Sequence, residues 1–178
     1  MNETHHPIRT LSSQPAWSCR WYGVRKDQIE LPDGSLGEYN VLELPDAVWV
    51  VPVTEQGEIV LLRHYRYPLR RWIWELPAGS LSPGEAPLLC AQRELLEETG
   101  GTAPDWQHLM TLSTMKGIGT EQAWLYCACG VVLGEAEPEA AEVMTVHRIP
   151  QGEALRMARA GEIEDAMGVL ALLLCAGG

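Results

Sequence analysis

Phenylalanine is absent from this chain of 178 residues, basic residues are scarce (13 Lys and Arg against 24 Asp and Glu), and no apolar run reaches membrane-spanning length. Each shortage excludes something. With a formal net charge of −11, the surface as a whole repels nucleic acid and anionic membranes, so a phosphate-bearing ligand needs a local basic patch or a bridging cation. The longest apolar stretch, MGVLALLLCA at 167–176, is roughly half of what a membrane span requires. The start, MNETHHPIRTLSSQPAW, lacks the apolar core of a signal peptide. A cytoplasmic protein is expected, with neither nucleic acid nor membrane as partner. The five cysteines, Cys19, Cys90, Cys127, Cys129 and Cys175, show neither a disulfide framework nor zinc-finger spacing. Cys127 and Cys129 fall on one face of a strand, and all five read as reduced core residues.

What is present suits one main domain: 46% of residues are hydrophobic, enough for a substantial core. After a polar start, apolar and β-branched stretches at roughly 17–30 and 38–43 predict a β-rich N-terminal region over 1–45. AVWVVPVT and EIVLLRHYR flank the turn EQG as a hairpin would, and WIWELPAG reads as a strand ending in a loop. A helix follows from about Pro87 to Thr99, with proline in its first turn and Gly100-Gly101 as its stop. HLMTLST, QAWLYCACGVV and EVMTVHRI resume the strands, and GEALRMARAG and EDAMGVLALLLCA predict two closing helices. The order strands, helix, strands, helices predicts an α+β or mixed-sheet sandwich over 46–178.

The helix holds the informative residues. At about 100° per residue, Glu94, Glu97 and Glu98 share one side, with Leu88, Ala91 and Leu95 across from them and Leu89 and Leu96 flanking. Like charges three and four residues apart cost a few tenths of a kcal/mol per pair, which a divalent cation among them would turn to advantage. Oxygen-only ligation suits Mg²⁺ or Mn²⁺. A plain solvated amphipathic helix would carry the same composition.

The spacing goes further than composition. Gly79, five residues, Glu85, seven residues, Arg93-Glu94-Leu95, one residue, Glu97-Glu98, one residue, Gly100 resembles the Nudix box, the loop-helix-loop signature of the Nudix hydrolases, at every charged and glycine position. Gly101 departs from it, since the family usually has an aliphatic residue there. The resemblance implies an α/β/α sandwich that hydrolyses a nucleoside diphosphate linked to a further group. It implies metal binding by Glu94, Glu97 and Glu98 with the carbonyl of Ala78, and an Arg93–Glu85 ion pair that orients the helix. Gly79 and Gly100 would be structural supports of the box.

The likeness extends over about 45–175. LLRHYRYPLRRWIWELPAG is similar to the segment before the box in the branch of ADP-ribose pyrophosphatases and GDP-mannose hydrolases. There an arginine at the position of Arg66 contacts the diphosphate, and a glutamate at the position of Glu75 lies near the metal. Independently of that, Arg63, Arg66, Arg70 and Arg71 place four of the 13 basic residues within nine positions, the patch an acidic chain needs for a phosphate. His64 reads as an ordinary strand residue. The general base in this branch comes from one of two loops. Here KGIGTEQAW supplies Glu121, favoured narrowly, and GEAEPEAAEV supplies Glu137, Glu139 and Glu142. Lys116 stands where ADP-ribose pyrophosphatases tend to have proline, which weakens the assignment to ADP-ribose in particular. The N-terminal region would help to build a homodimer.

The expected activity is therefore metal-dependent hydrolysis of the pyrophosphate bond of a nucleoside diphosphate sugar. ADP-ribose is the first choice, giving AMP and ribose 5-phosphate. GDP-mannose, another such sugar or a dinucleotide are alternatives, and a non-catalytic Nudix ligand sensor is the alternative of a different class.

Overall fold

The computed structural model describes residues 6–137 and 143–175. Two compact units divide the chain. One holds the described residues up to Asp46 together with Ser113–Gln122, and the other holds Ala47–Leu112 and the described residues from Ala123 onward. The inserted 113–122 segment is one that sequence patterning assigns to the second domain.

The first unit is a three-stranded antiparallel sheet of β1 (Arg9–Ser18), β2 (Gly23–Glu30) and β3 (Leu36–Glu43), in that order. β1 lies within the β-rich region expected over 1–45 but begins earlier than the apolar stretches that marked it. Every residue of β1 is exposed, so no face is buried and no apolar alternation marks the strand; backbone pairing to β2 makes it one. The 113–122 segment is tied to β3, with the Leu42 amide donating to the Ile118 carbonyl at 2.7 Å and the Thr120 amide to the Leu42 carbonyl at 3.1 Å.

The second unit is built on β4 (Ala47–Thr54), β5 (Glu58–Arg66), β6 (Arg71–Glu75), β7 (Ala78–Ser80), β8 (Asp105–Ser113), β9 (Gln122–Val131) and β10 (Met144–Pro150). Their order is β10-β5-β4-β9-β8, with β6 added to β5 and β7 to β4. β4 and β9 run parallel while β4–β7, β5–β6 and β5–β10 are antiparallel, so the sheet is mixed. The EQG turn forms, with the Gly57 amide donating to the Thr54 carbonyl. Beyond it the two arms of the expected hairpin pair only at Val53 and Ile59, because β4 turns its edges to β7 and β9.

Alternation along the central strands decides the layers. Val48 and Val50 of β4 and Tyr126 and Ala128 of β9 pack under helix α1 (Pro87–Thr99). Val51, Leu61, Leu125 and Cys127 face α2 (Gln151–Arg159) and α3 (Ala166–Cys175) on the other side. This is the α/β/α sandwich with a mixed sheet. Each fully buried valine or leucine of these rows contributes about 1.5–3 kcal/mol. Packing of α3 on the sheet also revises the cysteine reading, since Cys127 is disulfide-bonded to Cys175 while Cys19, Cys90 and Cys129 are free. A separation of 48 residues conceals such proximity in the sequence. Among the described residues no helix is long and apolar enough to cross a membrane.

Candidate active site

Helix α1 starts with Pro87, whose missing amide costs nothing in the first turn. It ends at Gly100, which takes the left-handed conformation at φ 64°. A Cβ there would stand 2.5 Å from the carbonyl carbon of Gly134, so the loop after β9 requires glycine on both grounds. Gly101 is similarly confined, its missing Cβ 2.6 Å from the Thr99 hydroxyl; this accounts for the one departure from the box.

The helix does not bury the side that hydrophobicity alone selects. Ala91 and Leu95 are fully buried as expected, but Leu88, Leu89 and Leu96 are 38%, 59% and 50% exposed. In their place the helix turns Glu94 (8% exposed) and Glu98 (2% exposed) towards β7. Burying carboxylates while leucines face solvent opposes the transfer energies of both residue types, and such inversions mark functional sites.

Each carboxylate is held. Glu98 Oε2 accepts the Ala78 amide at 3.0 Å. Arg93 is the hub for the others: Nη1 donates to Glu94 Oε1 at 2.7 Å and to Glu97 Oε2 at 3.0 Å. Nε and Nη2 of Arg93 grip the two oxygens of Glu85, both at 3.0 Å. This two-point guanidinium contact, joined by the Ser82 amide, lowers the Glu85 acid to about 2 and raises the Arg93 pKa in return. Gly79 is needed for a steric reason, because a Cβ on it would fall 1.9 Å from Glu94 Oε1.

Three carboxylates therefore gather about one guanidinium, a fourth, Glu98, is held by the Ala78 amide, and every ligating atom these acids offer is oxygen. That donor set fits a hard divalent cation. Among the described residues no three His, Cys, Asp or Glu side chains form a ready metal cluster; Glu94 and Glu97 lean on Arg93 and Glu98 on Ala78.

Next to β7, a cavity of about 390 Å³ is lined by Arg66, Glu75, Ala78, Trp49 and Asp165, with apolar residues between them. Glu75 is buried at 4% exposure. Its Oε1 meets Nδ1 of the buried His64 at 2.6 Å, and Arg66 reaches both of its oxygens, at 2.7 and 3.0 Å. His64 is thus more than an ordinary strand residue, since it fixes the carboxylate that fixes Arg66. Arg63 does not join this group. Alternation along β5 turns it to the opposite face, where its guanidinium lies 5.3 Å from the centre of the Trp74 ring. Arg71 is paired with Glu164.

The two loops expected to offer a base differ in placement. Glu121 belongs to the first unit, where its Oε2 accepts the Thr114 hydroxyl at 2.5 Å. In the second unit, the Glu137 amide donates to the Glu97 carbonyl at 2.9 Å and the Gly134 amide to the Gly100 carbonyl at 2.8 Å, stitching that loop to the end of α1. Glu139 and Glu142 lie outside the described residues. Trp49 and Asp165 line the cavity and His64 supports Glu75 beside it, placements that sequence patterning missed. Only a weak cue, an Asp just ahead of an apolar helix, pointed to Asp165.

A box helix that buries Glu94 and Glu98, on a mixed sheet covered by helices on both faces, defines the class. Residues 43–166 match the NUDIX domain, and the chain belongs to the Nudix family. Residues 8–42 match the nucleoside diphosphate sugar hydrolase N-terminal domain. The chain is 37% identical to an ADP-ribose pyrophosphatase of Mycobacterium tuberculosis, covering 94% of this chain and 83% of that one. It is 31% identical to an ADP-ribose pyrophosphatase of Bacillus subtilis, over 92% and 90% respectively. A crystal structure of an ADP compounds hydrolase superposes with a TM-score of 0.84 at 23% identity, over 97% of this chain and 94% of that one, and so shares the fold. The fold and family expected from residues 79–100 are those found.

Proposed function

We propose that this protein hydrolyses the pyrophosphate bond of a nucleoside diphosphate sugar, with ADP-ribose as first substrate and AMP and ribose 5-phosphate as products. The observation that carries the reading is the burial of Glu94 and Glu98 on a helix whose leucines face outward. Glu94, Glu97 and Glu98, with the Ala78 carbonyl, would hold Mg²⁺ or Mn²⁺. Such a cation supplies charge neutralisation on the diphosphate and acidifies the attacking water. The Arg93–Glu85 clamp keeps Glu94 and Glu97 in register, and the Ala78 amide holds Glu98. Arg66, steadied by Glu75 and His64, presents its remaining N–H edge to a diphosphate oxygen. Glu121 takes the proton from water, or Glu139 does so from the later loop. The curated ADP-ribose pyrophosphatase relatives support the choice of sugar.

A homodimer is part of the same reading, in a cytoplasmic setting. The N-terminal sheet buries only Asp27 and Ile29 and leaves Leu11, Trp17, Tyr22, Leu36 and Tyr39 among its exposed residues. Three strands rarely stand with so little core, and an apolar surface of this kind suits a second copy.

The test is phosphate release, after phosphatase treatment of the products, from ADP-ribose, ADP-glucose, GDP-mannose, UDP-glucose, NADH and diadenosine polyphosphates, with Mg²⁺ and then with EDTA. Metal-dependent release led by ADP-ribose is expected, and Glu98→Gln should abolish most of it without unfolding the protein. Glu121→Gln should slow turnover strongly; if a change at Glu139 does so instead, the base lies in the later loop. Tight binding of one compound without release would replace this reading with that of a sensor.

A further inference from the structure

We propose that Asp165 is a specificity-determining residue that accepts a hydroxyl of the substrate's distal sugar, making the cavity it shares with Trp49, Arg66 and Glu75 the sugar subsite. This rests on the reading of the protein as a nucleoside diphosphate sugar hydrolase. The placement comes from the fold. Ile163 bridges to Trp74 on β6, which carries the turn before α3 to the side of Glu75, and Asp165 then lines the same cavity as Arg66 and Ala78. Gly168 makes room for it, since a Cβ there would stand 2.5 Å from Asp165 Oδ2.

The valence of Asp165 points to a donor ligand. Its Oδ1 accepts the Met167 amide at 3.2 Å and its Oδ2 the Gly168 amide at 3.1 Å, and the nearby Trp49 side chain favours the charged form. A carboxylate has about four acceptor sites, so capacity remains for a group in the cavity. Burial, and after it the nearby Glu75 carboxylate, push the Asp165 acid up to about 6, so near neutral pH it is an ionised acceptor beside another acceptor. Such a pair repels phosphates and carboxylates and disfavours the ring nitrogens of a purine. Sugar hydroxyls can all turn as donors, and the C–H face of the ring suits the apolar wall of Trp49, Leu69 and Ile73.

The test compares kcat/KM for ADP-ribose and for the methyl ester of ADP, which keeps the adenosine and the diphosphate and has methyl in place of the sugar. The full chain is used with Mg²⁺, as wild type, Asp165→Asn and Asp165→Ala, each checked by its melting temperature. Asparagine preserves the helix cap if alanine impairs folding. Wild type should prefer ADP-ribose, and both variants should lose about 10- to 100-fold on ADP-ribose, mainly in KM, while staying within about two-fold on the methyl ester. An equal loss on both compounds would mean that Asp165 serves the base or the fold, and an unchanged preference that it serves neither; both overturn the assignment while leaving the hydrolase reading intact. Wild type inactive on both compounds would overturn the hydrolase reading, and this assignment with it.

Discussion

Replacing Glu85 by glutamine tests the clamp that organises the box. The ordinary glutamate value of 4.5 falls to about 2 at this position, first because Arg93 grips both oxygens. A shift of that size corresponds to about 3 kcal/mol, and because the pair sits near solvent, screening leaves about 1–2 kcal/mol. The sign follows from the direction. Since the folded state holds Glu85 more acidic than the unfolded state, the stabilisation is complete above about pH 4.5 and is lost as pH falls towards 2. Glu85→Gln should therefore be about 1–2 kcal/mol less stable than wild type near pH 7.5, with a deficit at least halved near pH 3. Urea unfolding followed by tryptophan fluorescence at the two pH values reads this directly. Catalysis should suffer as well, by about ten-fold in kcat, because Arg93 Nη1 positions Glu94 and Glu97 and loses its anchor. Equal stability of variant and wild type near pH 7.5, or an identical deficit at both pH values, would refute the account.

Asp165→Asn should raise stability above pH 6 by about 1–2 kcal/mol while weakening ADP-ribose use, because burial raises the acid to about 6 in the folded state; the gain should vanish towards pH 4 in the same urea assay. Gly79→Ala places a methyl where Glu94 Oε1 now lies, so kcat should fall about 10- to 100-fold, since misplacing a catalytic group by about 1 Å can cost that much; a variant with wild-type kcat would contradict the steric role. Multi-angle light scattering should report a dimer, and Trp17→Ser or Leu36→Ser should shift it towards monomer; a wild-type monomer would remove the shared-sheet reading.

Spacing alone carried the family. The positions of Gly79, Glu85, Arg93, Glu94, Glu97, Glu98 and Gly100 are legible because the box is one continuous loop-helix-loop, whose function depends on local geometry that the sequence order encodes. Arg66 and Glu75 were legible for a related reason, lying on adjacent strands close in sequence. The alternation of β4 and β9 likewise follows from buried rows that repeat every second residue.

The tertiary structure decided the rest, wherever contact and sequence distance part ways. Which face of α1 is buried could not be read from its leucines, because β7 draws Glu94 and Glu98 inward and leaves Leu89 and Leu96 in solvent. β1 carries no periodicity, since every one of its residues is exposed. The Cys127–Cys175 bond, the turning of Arg63 onto Trp74 and the arrival of Asp165 beside Glu75 depend on strands and helices meeting across the sheet. Local sequence determined the box of this protein, and long-range packing determined what surrounds it.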